Sequence, residues 1–181
     1  VGFRGQMSRL YRNDGGTFVD VAAQVGLAEA NEVRVAAWGD YDQDGDPDLY
    51  LGYALGSTLP NRLYRNDGGK AFVDVARSLG VDLHGTTRQT TFLDYDNDGD
   101  LDLFIAFRNR PNALFRNDSG KYTDVAPQIG LADPRKTVGV AWFDMDQDGD
   151  LDCFVANQDG DLNGFFRNDK MDTPSFAGAD V

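Results

Sequence analysis

Along the chain, apolar residues fall into short runs rich in Val, Phe, Tyr, Thr and Leu, and each run is closed by Gly, Asn, Asp or Pro. That is the signature of short strands joined by tight turns. Four runs make a unit; in the middle of the chain they predict strands over about 89–95, 102–107, 110–117 and 122–126. Both faces of the second run are apolar: Leu49 and Leu51 alternate with Tyr50, and Leu103 and Ile105 with Phe104. A sheet with one wet face would alternate with polar residues, so these sheets are expected to be covered on both sides by neighbours of their own kind.

The units repeat. The acidic strings DYDQDGDPD (40–48), DYDNDGDLD (94–102) and DMDQDGDLD (144–152) recur at offsets of 54 and 50 residues. A second string travels with them: LYRNDGGTFVDVA (10–22), LYRNDGGKAFVDVA (63–76), LFRNDSGKYTDVA (114–126) and a degraded FFRNDK from Phe165. Periods of this length with four antiparallel strands per unit predict an all-β fold, a partial β-propeller of about three and a half four-stranded blades. The units run 1–32 (half a blade and its connection), 33–86, 87–136 and 137–181. Trp38, Phe92 and Trp142 each stand two residues before an acidic loop and are read as packing between blades. Asn-Asp-Gly-Gly and Asn-Asp-Ser-Gly suit the tight hairpin between third and fourth strands. In a meander these hairpins share one face of the ring with the acidic loops. The other face carries connections that differ between copies, 53–62, 107–112 and 157–163, and variable loops on a rigid scaffold are where recognition usually sits. Val1–Gly2–Phe3 aligns with the LGY before the next LYRND, which places residue 1 inside a second strand. The chain is therefore expected to be part of a longer array, closed by further blades from the same gene product or from a second chain.

Charge sharpens this picture. The net charge is −13, yet fifteen of the thirty acidic residues lie in the three loops, leaving fifteen acids against seventeen Lys plus Arg. The acidity is local, and no general basic footprint for nucleic acid exists. No apolar run is long enough for a membrane span, and no signal-peptide pattern is present. Cys153 takes the place of Leu49 and Leu103, an apolar strand position, and reads as a buried thiol rather than a nucleophile. His84, the sole histidine, falls in a blade connection and reads as a surface imidazole. No nucleophile elbow or phosphate loop occurs. Asn117-Asp118-Ser119 is a formal glycosylation sequon at an expected exposed turn, which turn preference explains equally well, and 157–163 (NQDGDLN) reads as a turn.

Nine residues carrying five carboxylates, with Gly at the sixth place, suit a hard cation that takes six to eight oxygens at about 2.3–2.6 Å. An empty loop opposes itself: two carboxylates about 4 Å apart repel by roughly 4 kcal/mol at an effective dielectric near 20. About three Ca²⁺ ions per chain are expected. An EF-hand is excluded because the twelfth place holds Leu51, Ile105 or Val155 instead of Glu, and strands flank the loop.

These strings resemble the FG-GAP or VCBS-type calcium-binding repeats of integrin α-subunit propellers and of the cartilage acidic protein family, over essentially the whole chain. The resemblance implies that the first, third, fifth and ninth residues give side-chain oxygens: Asp40, Asp42, Asp44 and Asp48; Asp94, Asp96, Asp98 and Asp102; Asp144, Asp146, Asp148 and Asp152. It implies backbone oxygens from the seventh, Asp46, Asp100 and Asp150. Pro47, where the other copies have Leu, removes only a backbone donor at the loop exit. The resemblance also implies a secreted, periplasmic or cell-surface setting; the variable connections and the lack of a catalytic constellation predict a non-enzymatic recognition or adhesion module that binds a protein or glycan partner through those loops. The alternative is the propeller part of a carbohydrate-active lyase or hydrolase.

Overall fold

The structure, a computed structural model, describes residues 7–28, 32–54, 56–169 and 176–180. It opens with a hairpin of β1 (Tyr11–Asp14) and β2 (Thr17–Asp20). Blade 1 follows as β3 (Val33–Gly39), β4 (Asp48–Tyr53), β5 (Arg62–Asn66) and β6 (Phe72–Asp74). Helix α1 (Ala76–Leu79) leads to blade 2, built from β7 (Thr87–Leu93), β8 (Asp102–Phe107), β9 (Ala113–Asp118) and β10 (Lys121–Asp124). Helix α2 (Ala126–Ile129) leads to blade 3, built from β11 (Thr137–Phe143), β12 (Asp152–Asn157), β13 (Gly164–Asn168) and β14 (Phe176–Asp180). Each blade is a four-stranded antiparallel meander in chain order. The all-β, propeller-like architecture expected from the sequence is the one observed. The strand start expected at Val1–Phe3 lies outside the described residues.

Blades stack through their second strands. All six residues of β4 and all six of β8 are buried, and strict alternation sends them to opposite sides. Leu103, Ile105 and Phe107 join Tyr50, Leu63 and Val81 in the core between blades 1 and 2. Phe104 and Ala106 join Leu114, Cys153 and Val155 in the core between blades 2 and 3. Leu49 and Leu51 turn the other way, toward Val25 and Leu27 behind the first hairpin. First strands of successive blades also lie against one another, β3 on β7 and β7 on β11. The inner edge is stitched by Gln89, whose side-chain amide donates to the Val140 carbonyl (2.8 Å) and accepts from its N–H (2.8 Å), imitating a strand pair.

Three expectations need correction. The fourth strand of the middle unit ends at Asp124, not at residue 126, because the Asp124 carboxylate accepts the Ala126 N–H at 3.1 Å and turns the chain into α2. Asp74 does the same for Ala76, and Gly80 and Gly130 close the two helices at positive φ. Blade 3 has the fourth strand, β14, that a full unit over 137–181 requires, although the string that marks this hairpin in the other copies is degraded here; its register, Asn168 opposite Phe176, repeats that of Asn66 opposite Phe72. The longer interval between third and fourth strands, 169–175 against 67–71, broke the repeat. Trp142 stands edge-on to Phe104 at 5.2 Å, and Phe92 packs against the blade 1–2 core, as expected of packing between blades. Trp38 differs: it is 48% exposed and meets Phe72 of its own blade at 6.0 Å, in a cleft shared with Leu10 and Tyr11. Asn117 is fully buried and its amide donates to the Tyr41 and Leu101 carbonyls, so the sequon is a structural turn and not a glycan acceptor.

A Cβ on Gly39 would stand 2.6 Å from the Phe92 ring. Gly39→Ala is therefore expected to cost roughly 1–3 kcal/mol of stability by overpacking the seam between blades, and the double variant with Phe92→Ala, which removes the two nearest ring atoms, is expected to be less destabilised than the sum of the two single variants. Denaturant unfolding of the two single variants and the double variant measures the coupling; strict additivity would show that the seam is not closed by this contact.

Candidate metal centre

Each acidic loop joins the first strand of a blade to the second, and its shape follows from two left-handed residues. Gln43, Asn97 and Gln147 at the fourth place have φ of 59°, 59° and 64°, and Gly45, Gly99 and Gly149 at the sixth have φ of 93°, 94° and 97°. Only Gly adopts the latter without a Cβ penalty. The first aspartate holds this turn. Asp40 accepts the N–H groups of Asp44 (3.1 Å) and Gly45 (3.0 Å), Asp94 those of Asp98 and Gly99, and Asp144 those of Asp148 and Gly149. The fifth aspartate accepts the N–H of the seventh in every loop.

The ninth aspartate is the most constrained. Asp48, Asp102 and Asp152 are fully buried. Asp102 accepts the Tyr95 N–H with one oxygen (3.0 Å) and the Asn117 N–H with the other (2.8 Å). Asp48 holds Tyr41 and Asn66, and Asp152 holds Met145 and Asn168, in the same way. One carboxylate thus ties the loop, the start of the second strand and the end of the third.

The loops bring the first, third and ninth aspartates together. Ligand atoms of Asp40, Asp42 and Asp48 lie within 4.8 Å of one another, as do those of Asp94, Asp96 and Asp102 and of Asp144, Asp146 and Asp152. Asp44 and Asp98 stand outside these triads. Asp148 groups instead with Asp146 and Asp169, a residue the sequence reading did not single out. The seventh side chains of the second and third loops bond to groups outside their own triads. Asp100 accepts the Ser119 N–H (2.7 Å) and the Gln43 amide (2.8 Å), and Asp150 accepts the Asn97 amide (3.3 Å). Gln43 also donates to the Gly99 carbonyl, and Asn97 to that of Gly149, so each loop is bonded to the next. The recurring amide at the fourth place was the available signal for this link.

The donor set fits a hard cation. Burial, with the field of Asp96 and Asp98, pushes the Asp102 carboxyl up to about 7 despite its two N–H partners. Burial likewise pushes Asp48 up to about 6. Burial first and the neighbouring aspartates second raise Asp42 and Asp96. Asp96 Oδ1 is buried with no hydrogen-bond partner, an acceptor directed at its fellow carboxylates. A divalent cation would supply the missing positive charge and the missing partner together.

Stacked four-stranded blades, each with the same aspartate loop on one face, define a β-propeller repeat protein. The chain belongs to the family of FG-GAP-like repeats, whose pattern matches residues 1–51, 53–105 and 94–155. It is similar to cartilage acidic protein 1 of Xenopus tropicalis, 35% identical over 107 residues, which is 56% of this chain and 16% of that protein. The mouse and human proteins of that name are each 32% identical over 97 residues, 53% of this chain and 15% and 14% of theirs. The chain thus spans about one sixth of the length of these relatives or less.

Two outcomes follow for the protein in chelator. Asp102→Ala strips two buried N–H groups of their acceptor and is expected to cost roughly 2–4 kcal/mol, whereas Asp96→Ala, which removes a repelling charge, is expected to leave stability unchanged or raise it. Thermal or denaturant unfolding separates them; equal losses would refute the division of roles. Asp48 and Asp102 have folded values raised above the unfolded value of about 3.9. Their contribution is therefore fully present below about pH 4 and is lost as pH rises through about 6 and 7. In chelator the melting temperature should fall across that window, and saturating calcium should reverse the slope.

Proposed function

We propose that the protein is a calcium-stabilised recognition module of an extracellular or cell-surface protein, binding about three Ca²⁺ through its aspartate loops and a protein or glycan partner through its variable connections. The observation that carries the metal reading is the threefold recurrence of one geometry: a first, third and ninth aspartate gathered within 4.8 Å, with the ninth buried at the base of the blade. A single acidic turn would carry little weight; three with the same gathered triad in the same register argue for a shared ligand. Side-chain oxygens of the first, third, fifth and ninth residues and the carbonyl of the seventh would supply the shell. Calcium's role here is structural charge compensation.

The recognition reading rests on the division of faces. The acidic loops and the hairpins after the third strands are bonded into one continuous surface. The opposite connections are free to vary without disturbing it. His84, exposed in one of these connections, and Cys153, buried with its thiol pushed up by desolvation, offer no activated nucleophile or base. The extracellular setting follows the relatives and the millimolar calcium such loops would need. No helix among the described residues is long and apolar enough to cross a membrane.

With sites of about 0.1 mM affinity and about 1 mM free calcium, linkage stabilises by roughly 1.4 kcal/mol per site. A chelator should therefore lower the melting temperature by several degrees; no change would overturn the proposal. Titration calorimetry should give about three ions per chain, about two in Asp96→Ala, and close to three in Asp100→Ala. Because Gln43 holds the Gly99–Asp100 segment of the next loop, Gln43→Ala should weaken the second site severalfold while sparing the number of sites. Mutation of a residue in one loop that leaves every other site unperturbed would argue against the bonded chain of loops.

A further inference from the structure

A second polar cluster lies at the opposite end of the first strands. Strands β3 and β7 each shift register at their second residue, between Val33 and Val35 and between Thr87 and Gln89. The residue left out of the ladder is an arginine in both cases, Arg34 and Arg88; the corresponding residue of β11 is Val138. A bulge re-aims the side chain it carries, and because β3 and β7 lie against each other, the two arginines stand at equivalent positions of successive blades. Arg108, the first residue beyond β8, is tethered beside them by its N–H, which donates to the Thr86 carbonyl at 3.0 Å.

Among the described residues one carboxylate, Asp159, pairs with this cluster, against three arginines and Lys136. Asp159 is shared by Arg108 (3.0 Å) and Lys136 (3.4 Å). Neither Arg34 nor Arg88 makes an ion pair with a described carboxylate. The Arg88 Nε is buried and finds no hydrogen-bond partner. Burial first, then the repulsion of Arg34 and Arg108, lower the pKa of Arg88 against the weaker attraction of Asp159, so the three like charges feel one another. Gathering like charges around an unmet buried donor is unfavourable unless something negative completes the group. Guanidinium forks match oxyanions bidentately, which a point-like ammonium does not. The chain's net charge of −13 does not oppose this, because half of its acids sit in the loops on the other face.

We propose that Arg34, Arg88 and Arg108 form a binding site for an oxyanion, a sulfate, phosphate or carboxylate group, at the inner edge of blades 1 and 2 on the face opposite the aspartate loops. The site is independent of the calcium reading, since no loop residue takes part. Its ligand group could be borne by an esterified sugar or by an acidic one, and these share the same chemistry at the arginines.

The test is a titration of the isotopically labelled protein with sodium sulfate, inorganic phosphate and sodium acetate in turn, each at constant ionic strength, followed by NMR at the Arg88 Nε–H and the amides of Arg34, Arg88 and Arg108. Constant ionic strength removes screening, and the excluded-solute effect of sulfate does not saturate at low concentration. Saturable shifts confined to these groups, with half-saturation at roughly millimolar anion, are expected. Preference for sulfate or phosphate would assign an ester group, and preference for acetate a carboxylate. Arg34→Gln and Arg88→Gln should each weaken binding about tenfold, equivalent to about 1.4 kcal/mol, without lowering the melting temperature in anion-free buffer. Shifts that never saturate for any of the three anions, or a titration unchanged in both variants, would overturn the proposal.

Discussion

The structure depends on a buried carboxylate at the ninth place of each acidic loop. Asp48, Asp102 and Asp152 have no exposed surface, and a buried charge is costly unless hydrogen-bonded and compensated. Two backbone N–H groups meet the first requirement for each of them, one from the loop and one from the third strand. They do not meet the second, and the raised pKa of Asp48 and Asp102 reports the deficit. The same side chain that ties the loop, the second strand and the third strand together is thereby left with an uncompensated charge, so that in the proposed calcium reading one pair of oxygens would serve both the fold and the metal.

Around that joint the blades are held by two different seams. Near the middle the seam is apolar and period-two: one side of β8 belongs to the core with blade 1, the other to the core with blade 3. At the loop face and the inner edge it is polar and made by amides. Gln43 and Asn97 bridge loop to loop, Asn117 reaches the Tyr41 carbonyl of the preceding blade, and Gln89 pairs with the backbone of Val140. Tyr50 adds a buried bond to the Val81 carbonyl at 2.8 Å. Apolar contact sets the spacing of the blades; the amides, which need a partner at one position, set their register.

Arginine is used in two ways. In the third strands it is neutralised locally: Arg65, Arg116 and Arg167 pair with Asp67, Asp118 and Asp169 two residues on, which accounts for the recurring Arg-Asn-Asp string. On the bulges of β3 and β7 it is not. Exposed i, i+2 pairs contribute little to stability, so the repeated string is better understood through its middle residue. Asn66 and Asn117 accept an N–H within their own hairpin and donate across to the loop exit.

What the sequence determined is what repeats locally. Strand number per unit, the two-sided burial of the second strand and the composition of the acidic loops are properties of short strings, and three copies in one register make each legible. The turn at Asp124 and α2 was hidden because a side-chain acceptor, not an apolar period, ends the strand there. A fourth strand for the last unit was expected from the repeat, but the place of β14 was not legible because a longer interval follows the third strand. Only the tertiary structure could show that Asn117 is buried, that Trp38 lacks the cover Trp142 has, and that the aspartates of one loop divide into a gathered triad and a seventh side chain turned to its neighbour. These depend on contacts between residues some 15 to 76 positions apart, which the packing of one blade on the next sets and no local pattern encodes.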